Sequence, residues 1–217
     1  MKKQIARALF FILGVINLTG HLLAQEDLIV YSKVLLMPLL LYYVYESTRE
    51  TVTFRTLLLA VAIIFSWGGD IALIYPRYFL LGVGLFLIAQ ITYSYLFLKS
   101  TTQSVSFNLL RILPFVLYAT LLFYLVLPDA GDMKIPVIVY GICLLAMGYT
   151  ASLRKGLTQN QSFKVTLSGA VLFIISDSLI ALSKFTGTTI PHSGFLIMLT
   201  YIIAQYLIVE GMIKHTD

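Results

Sequence analysis

Charged side chains are scarce in this sequence of 217 residues. The chain has fifteen basic and ten acidic residues, which make up 12% of it, whereas an average globular chain of this length would carry roughly 54. Hydrophobic residues make up 59%, so the polar side chains are too few to cover a surface that faces water. Disorder is excluded as well, because a disordered chain has little apolar surface to bury. A protein embedded in a lipid bilayer remains.

Cysteine and histidine are also rare. Cys143 is the one cysteine, which excludes an intrachain disulfide and a cysteine-rich metal site. The three histidines are far apart in sequence, and no His-x-x-x-His spacing occurs. We therefore expect no metal and no cofactor. The Gly-x-Ser-x-Gly elbow of one large class of serine hydrolases is also missing.

Long apolar runs make up most of the chain, and each is long enough to cross a bilayer as a helix of about 20 residues. The runs lie at 5–24, 30–46, 54–75, 78–98, 107–127, 134–152, 163–184 and 193–213. The sequence therefore predicts an all-α, polytopic membrane bundle of eight transmembrane helices, with residues 1–217 as a single integral-membrane domain. The first run follows Met1-Lys2-Lys3 as in a signal peptide. Because no clear small-x-small cleavage site follows it, we expect this run to be retained as a helix.

The basic residues predict the orientation of the chain. With the N-terminus in the cytoplasm, eleven basic residues lie at cytoplasmic ends of the spans and four at outer ends, so both termini are predicted to be cytoplasmic. Basic residues that stand singly or in pairs at span ends also argue against nucleic acid as a partner, despite a net charge of +5. We expect the membrane to be a bacterial inner (cytoplasmic) membrane.

The two halves of the chain share a short pattern. Segments 65–73 and 173–182 each place an aspartate in a similar apolar context, and each is followed by a span that contains Ile-Ala-Gln. This pairs the third span with the seventh and the fourth with the eighth. The pattern suggests a parallel duplication of a four-helix unit. The alternative is chance similarity in a chain of such biased composition.

Two acidic residues lie well inside predicted spans. Asp70 is about five residues and Asp177 about seven residues from the outer end of its span, or about 7–10 Å, and a charge at mid-span costs about 2.5–3.5 kcal/mol on insertion scales. Lys33 lies just inside the outer end of the second span and can reach a similar level. These three side chains predict one polar cavity that opens outward.

Further polar residues extend this predicted cavity. Ser66 lies one turn before Asp70 on the same helix face, and Gln90 and Gln205 lie deeper, near the floor of the cavity. Acids inside a membrane typically mark a substrate or proton site. When two carboxyl groups lie close together, one tends to be protonated and the other ionised, so that one can act as an acid and the other as a base. The alternative is structural: the aspartates pair with Lys33 or with polar neighbours only to hold the bundle together.

Four short motifs carry a family resemblance. They are Lys33-Val34-Leu35-Leu36-Met37-Pro38, Ser66-x-x-Gly69-Asp70, Phe86-x-x-x-Gln90-x-x-Tyr93 and Ser176-Asp177-Ser178. In order and spacing they resemble the YhhN family of lysoplasmalogenase-like membrane proteins, over nearly the whole chain. The chain departs from the family pattern at Gln90, where the family usually has His, and at Val34, where it often has Pro.

The resemblance implies an integral-membrane hydrolase that cleaves the vinyl ether bond of lysoplasmalogens. The products are a fatty aldehyde and a glycerophospho-ethanolamine or -choline. On this hypothesis Asp70 and Asp177 are the catalytic residues. The predicted substrate-binding residues are Lys33, Ser66, Gln90, Tyr93, Ser176 and Gln205. The expected partners are a lysophospholipid substrate and the lipid bilayer, and the oligomeric state is left open.

A mechanism follows from the chemistry of vinyl ethers, which hydrolyse by protonation at carbon through an oxocarbenium-like cation. One aspartic acid would donate the proton, and the second, ionised aspartate would stabilise the cation and activate water, as the carboxylate pair of glycosidases does. Lys33 could contact the phosphate as a point charge. The sequence leaves open which aspartate is the acid.

Two other interpretations stay open. The first alternative is a proton-coupled transporter or a lipid-binding membrane protein that uses the same aspartates. A parallel repeat is also typical of transporters. The third interpretation is a structural membrane scaffold without turnover.

Overall fold

The structure is a computed structural model that describes residues 2–101, 103 and 106–214. Within these residues the chain forms eight α-helices and no strand. The helices are α1 Lys2–Leu23, α2 Glu26–Thr48, α3 Phe54–Ala72, α4 Phe79–Lys99, α5 Leu109–Val126, α6 Lys134–Leu153, α7 Asn160–Phe185 and α8 Ser193–Ile213. All eight are long and apolar enough to cross a membrane. The predicted all-α membrane fold with eight spans is therefore confirmed, whereas the orientation of the termini stays a prediction.

Polar side chains define where two of the helices begin. Thr53 precedes α3, and its side chain and that of Thr56 each bind the other's backbone N–H as a capping box. Asn108 precedes α5, and its side-chain oxygen accepts a hydrogen bond of 3.0 Å from the backbone N–H of Arg111. Both caps satisfy N–H groups that a helix start leaves without an intrahelical partner.

The third span is shorter than predicted. α3 ends at Ala72 instead of residue 75, and a 3-10 helix at Pro76–Tyr78 precedes α4. Proline disfavours the helical conformation in the residue before it, so the chain leaves α3 ahead of Pro76. Asp70 therefore lies two residues from the end of α3, whereas Asp177 lies eight residues from the end of α7. The two aspartates are not at the similar distances from their helix ends that the predicted span boundaries implied.

The helices group into two compact units. The first contains α1 to α3 and α4 as far as Leu96, and the second begins at Phe97 and contains α5 to α8. Each unit thus has four helices, as a duplicated four-helix unit requires. The duplication itself and the single membrane domain stay predictions.

In the first unit, α1 and α2 are joined by a tight turn and a buried polar contact. Gly20 lies so close to α2 that an added Cβ would stand 3.0 Å from the Leu28 Cβ. The buried amide of Asn17 donates to the Ile29 carbonyl at 3.1 Å and to the Ser32 hydroxyl at 2.9 Å. Such bonds satisfy polar groups that lipid cannot solvate, and they fix α2 against α1.

In the second unit, small residues bring α7 and α8 together. A Cβ on Gly169 would lie 2.8 Å from the backbone nitrogen of Ile208, and one on Gly211 would lie 2.7 Å from the backbone nitrogen of Thr166. The fully buried guanidinium of Arg154, at the end of α6, donates to the Ser162 hydroxyl at 2.8 Å. Glycines at these two positions therefore allow the backbones of α7 and α8 to approach closely.

Candidate functional site

The structure brings together two of the predicted site residues, Lys33 on α2 and Asp70 on α3. Lys33 Nζ lies 3.7 Å from Asp70 Oδ1, and the two side chains are 17% and 4% exposed. Both residues lie within predominantly apolar stretches of their helices. An ion pair in such surroundings persists because each charge replaces part of the hydration that the other has lost.

A proline explains how α2 and α3 are held at this point. In an α-helix the carbonyl of Val34 would accept a hydrogen bond from the N–H of residue 38, but that residue is Pro38, which has none. The Trp67 indole on α3 donates to this carbonyl instead, at 2.8 Å. Val34 is next to Lys33, and Trp67 lies three residues before Asp70. The bond therefore joins α2 and α3 beside the ion pair.

Three more predicted site residues lie in the first unit. Ser66, one turn before Asp70, is fully buried, and its hydroxyl has no hydrogen-bond partner among the described residues. Gln90 and Tyr93 on α4 are also fully buried. Phe86 lies four residues before Gln90 and seven before Tyr93, so all three share one face of α4.

Gly69 brings that face of α4 close to the ion pair. A Cβ on Gly69 would lie 2.5 Å from the ring of Phe86, so the two helices touch at the residue next to Asp70. The first unit thus places five predicted site residues on α2, α3 and the face of α4 that contacts α3, namely Lys33, Asp70, Ser66, Gln90 and Tyr93. We call this set the α2–α4 cluster.

Asp177 lies in the second unit, and its carboxylate has a close tyrosine neighbour. Tyr140 of α6 donates its hydroxyl proton to Asp177 Oδ2 at 2.5 Å, and only 6% of Asp177 is exposed. Sequence analysis did not single out Tyr140. The chain has fourteen tyrosines, and no spacing pairs this one with an aspartate 37 residues later in the chain.

The remaining predicted residues of the second unit contact α8 or lie on it. Ser176 of α7 donates to the backbone carbonyl of Ile197 at 3.1 Å, so its hydroxyl proton joins α7 to α8. Gln205 of α8 is fully buried, and its amide donates to the Tyr201 hydroxyl at 3.3 Å. Both therefore take part in the internal packing of this unit, and their contact with a substrate stays a prediction.

The chemistry of these residues is that of buried acids and hydroxyl groups. The part of the chain that the structure describes contains no group of three or more His, Cys, Asp or Glu side chains that could hold a metal ion. The α2–α4 cluster supplies a carboxylate beside an ammonium, and the second unit supplies a carboxyl group beside a phenol. A common cavity for Asp70 and Asp177 stays a prediction.

Comparison with known proteins yields one family and several curated relatives. The sequence profile of the YhhN family matches residues 28–212. The chain is 37% identical to the lysoplasmalogenase TMEM86B of Homo sapiens over 159 residues, which are 73% of this chain and 65% of that protein. It is 33% identical to the lysoplasmalogenase TMEM86B of Rattus norvegicus over 159 residues, which are 73% of this chain and 63% of that protein.

The same name belongs to a relative in Sus scrofa, which is 31% identical over 147 residues, or 68% of this chain and 59% of that protein. The chain thus spans a little less than two thirds of the length of these curated relatives. No solved structure matches the chain.

Proposed function

The chain belongs to the YhhN family, and we propose that it is an integral-membrane hydrolase that cleaves the vinyl ether bond of lysoplasmalogens. The products are a fatty aldehyde and a glycerophospho-ethanolamine or -choline. The observation that carries the proposal is the buried ion pair of Lys33 and Asp70. Placing a charged side chain inside a membrane span is costly, so such residues typically mark a functional site. The relatives named lysoplasmalogenase support the substrate class.

The proposed reaction adds one water molecule to the substrate. A proton is delivered to the vinyl carbon that is not bonded to oxygen, and the electrons of the double bond form the new C–H bond. The neighbouring carbon and the ether oxygen then share the positive charge. Water attacks that carbon and gives a proton to the ionised carboxylate. The hemiacetal then collapses: its hydroxyl loses a proton as the C=O bond forms, the bond from that carbon to the ether oxygen breaks, and the ether oxygen takes up a proton to become the glycerol hydroxyl.

We assign the two roles to the two aspartates. Asp70 acts as the ionised carboxylate, since the ammonium of Lys33 stabilises a negative charge at 3.7 Å. It stabilises the cation and activates water. Asp177 takes the complementary role of the acid that delivers the proton, because the reaction needs one protonated and one ionised carboxyl group and Asp70 is the one beside an ammonium.

The other predicted residues bind the substrate in this proposal. Lys33 contacts the phosphate as a point charge. The buried polar side chains orient the polar part of the lipid by hydrogen bonds, as the few polar groups of a ligand pocket do. These side chains are Ser66, Gln90, Tyr93 and Gln205, with Ser176 next to Asp177. The protein acts in a bacterial inner membrane, with the fatty chain between helices.

The test is aldehyde release by the purified protein, measured by mass spectrometry. Wild-type protein should convert a lysoplasmalogen and leave the saturated alkyl-ether lysolipid unchanged, since the saturated ether has no double bond to protonate. Asp70→Asn and Asp177→Asn should each lower kcat at least about 100-fold, as expected for loss of an acid or base. Asp129→Asn makes the same chemical change in an exposed loop and should keep wild-type kcat.

Near wild-type release by both site variants would contradict the mechanism. Wild-type protein without any release would contradict the proposed hydrolysis. Proton-coupled uptake of a lysolipid into proteoliposomes, with no product formed, would favour a transporter instead.

A further inference from the structure

The mechanism above gives no task to the hydroxyl group that lies closest to Asp177. Tyr140 donates to Asp177 Oδ2 at 2.5 Å, within a unit where this carboxyl group is almost fully buried. This distance lies within hydrogen-bonding range, so the hydroxyl group and the carboxyl group are in direct contact.

The helices around Tyr140 hold it in this position. α6 lies close to α7, because a Cβ on Gly148 would stand 2.6 Å from Ile174 Cδ1. Ile174 lies one turn before Asp177 and Ser178 on α7. Tyr140 thus reaches the carboxyl group from a helix that packs directly against α7.

A second tyrosine makes a comparable contact one residue later. The Tyr118 hydroxyl of α5 donates a hydrogen bond to the Ser178 hydroxyl at 2.9 Å, and the Ser178 hydroxyl in turn donates one to the Ile174 carbonyl at 2.7 Å. Consecutive residues of α7 are therefore each bound by a tyrosine from another helix. The two contacts differ in one respect: only Asp177 changes charge in the proposed reaction.

We propose that Tyr140 is a positioning residue for this reaction, which holds Oδ2 of Asp177 so that the transferred proton is carried on Oδ1. The inference rests on the proposed function. As the bond between Oδ1 and its proton breaks and the C–H bond of the substrate forms, Asp177 becomes a carboxylate. The bond from Tyr140 then changes from neutral to charge-assisted and strengthens. An interaction that is stronger in the transition state than in the ground state raises kcat.

Two variants that each remove one hydroxyl group distinguish this positioning role from a role in packing alone. Tyr140→Phe removes the hydroxyl on Asp177, and Tyr118→Phe removes the hydroxyl on Ser178. In full-length purified protein with a lysoplasmalogen as substrate, Tyr140→Phe should lower kcat about 10- to 100-fold with KM within about 2-fold of wild type. Tyr118→Phe should keep kcat within about 3-fold, since the Ser178 hydroxyl stays neutral throughout.

Two unnatural residues at position 140 keep the ring size and vary the donor. A meta-fluorotyrosine retains the phenol and should restore at least about half of the wild-type kcat, whereas para-aminophenylalanine, a weaker donor, should give a kcat between those of Tyr and Phe. If Tyr140→Phe does not fold, the kcat values of these two unnatural residues test the proposal. Equal kcat for the two unnatural residues overturns the proposal.

Other outcomes also overturn the proposal. One is a Tyr140→Phe kcat within about 2-fold of wild type, and another is an equal loss in the Tyr140→Phe and Tyr118→Phe variants. Activity of the wild type and its loss in Asp177→Asn establish the hydrolase independently, so either result would reject Tyr140 alone. A wild-type protein that releases no aldehyde rejects both.

Discussion

Lys33 and Asp70 depend on each other because neither side chain has ready access to water. Their charged atoms lie 3.7 Å apart within apolar helices. Removing one partner of a buried ion pair leaves the other charge poorly compensated, which costs more than the pair contributes. The ion pair is thus a structural constraint on α2 and α3 as well as a proposed part of the reaction.

A double-mutant cycle measures this dependence. Lys33→Met should lower the free energy of unfolding by about 3 kcal/mol, the lower end for a buried pair, because 17% of the Lys33 side chain is exposed. The double variant Lys33→Met/Asp70→Asn should lose at least about 1 kcal/mol less than the sum of the single variants. Denaturant unfolding in detergent gives these values.

Lys155→Met provides the control, since Lys155 is exposed after the end of α6. This change should alter stability by less than about 0.5 kcal/mol. Strict additivity of Lys33→Met and Asp70→Asn would show that the ion pair contributes no coupling.

The two aspartates could be found from sequence because a chain so poor in charge has few reasons to place an acid inside a span. Tyr140 could not be found in this way. A tyrosine is common in membrane helices, and its hydroxyl is informative only once the partner is known. The same holds for Trp67, whose indole partner is a backbone carbonyl of another helix.

At the scale of the elements, Pro38 links the conformation of α2 to its packing on α3. The missing N–H at position 38 leaves the Val34 carbonyl available, and the Trp67 indole donates to it at 2.8 Å. In hydrocarbon an unsatisfied carbonyl has no water to bind. Proline within this helix is therefore compatible with a stable membrane span because the neighbouring helix supplies the donor.

The variants Trp67→Phe and Pro38→Ala test this link. In the wild-type background Trp67→Phe should cost about 1–3 kcal/mol beyond its packing loss, since it removes the bond to the Val34 carbonyl. In the Pro38→Ala background the cost should be at least about 1 kcal/mol smaller, because the N–H of Ala at position 38 can bind that carbonyl. Thermal unfolding of the four proteins in one detergent measures the difference.

The packing loss from Trp67→Phe is the same in both backgrounds and cancels in the comparison. An equal cost in both would mean that the indole bond does not depend on the proline.

At the scale of the whole molecule, the basic residues predict that the N-terminus and the C-terminus both face the cytoplasm. With this orientation the loop between α2 and α3 is cytoplasmic, and the loop between α5 and α6 lies outside. Glu50 and Asp129 are exposed in these two loops.

Cysteine labelling checks the orientation, and the single Cys143 makes a cysteine-free background simple to obtain. In a Cys143→Ser background, a membrane-impermeant maleimide is added to cells whose outer membrane is permeabilised and whose inner membrane is intact. It should label Asp129→Cys and leave Glu50→Cys unlabelled. Lysis should make Glu50→Cys reactive and serves as the control. The reverse pattern would contradict the predicted orientation.

The sequence by itself determined that this is a helical membrane protein with eight spans, and it drew attention to Asp70 and Asp177. Both results depend on quantities that are local and add along the chain: the transfer free energy of each side chain, the length needed to cross a bilayer, and the cost of a charge within it. The end of α3 was misplaced because a local backbone effect before Pro76 overrode apolar content.

Only the tertiary structure decided which polar groups meet. Lys33 pairs with Asp70, Trp67 reaches the Val34 carbonyl, and Tyr140 binds Asp177. Each contact joins residues that are more than 30 positions apart. Which face of one helix meets which face of another depends on helix rotation and on close approach at small residues, and neither is encoded in the hydropathy of a single span.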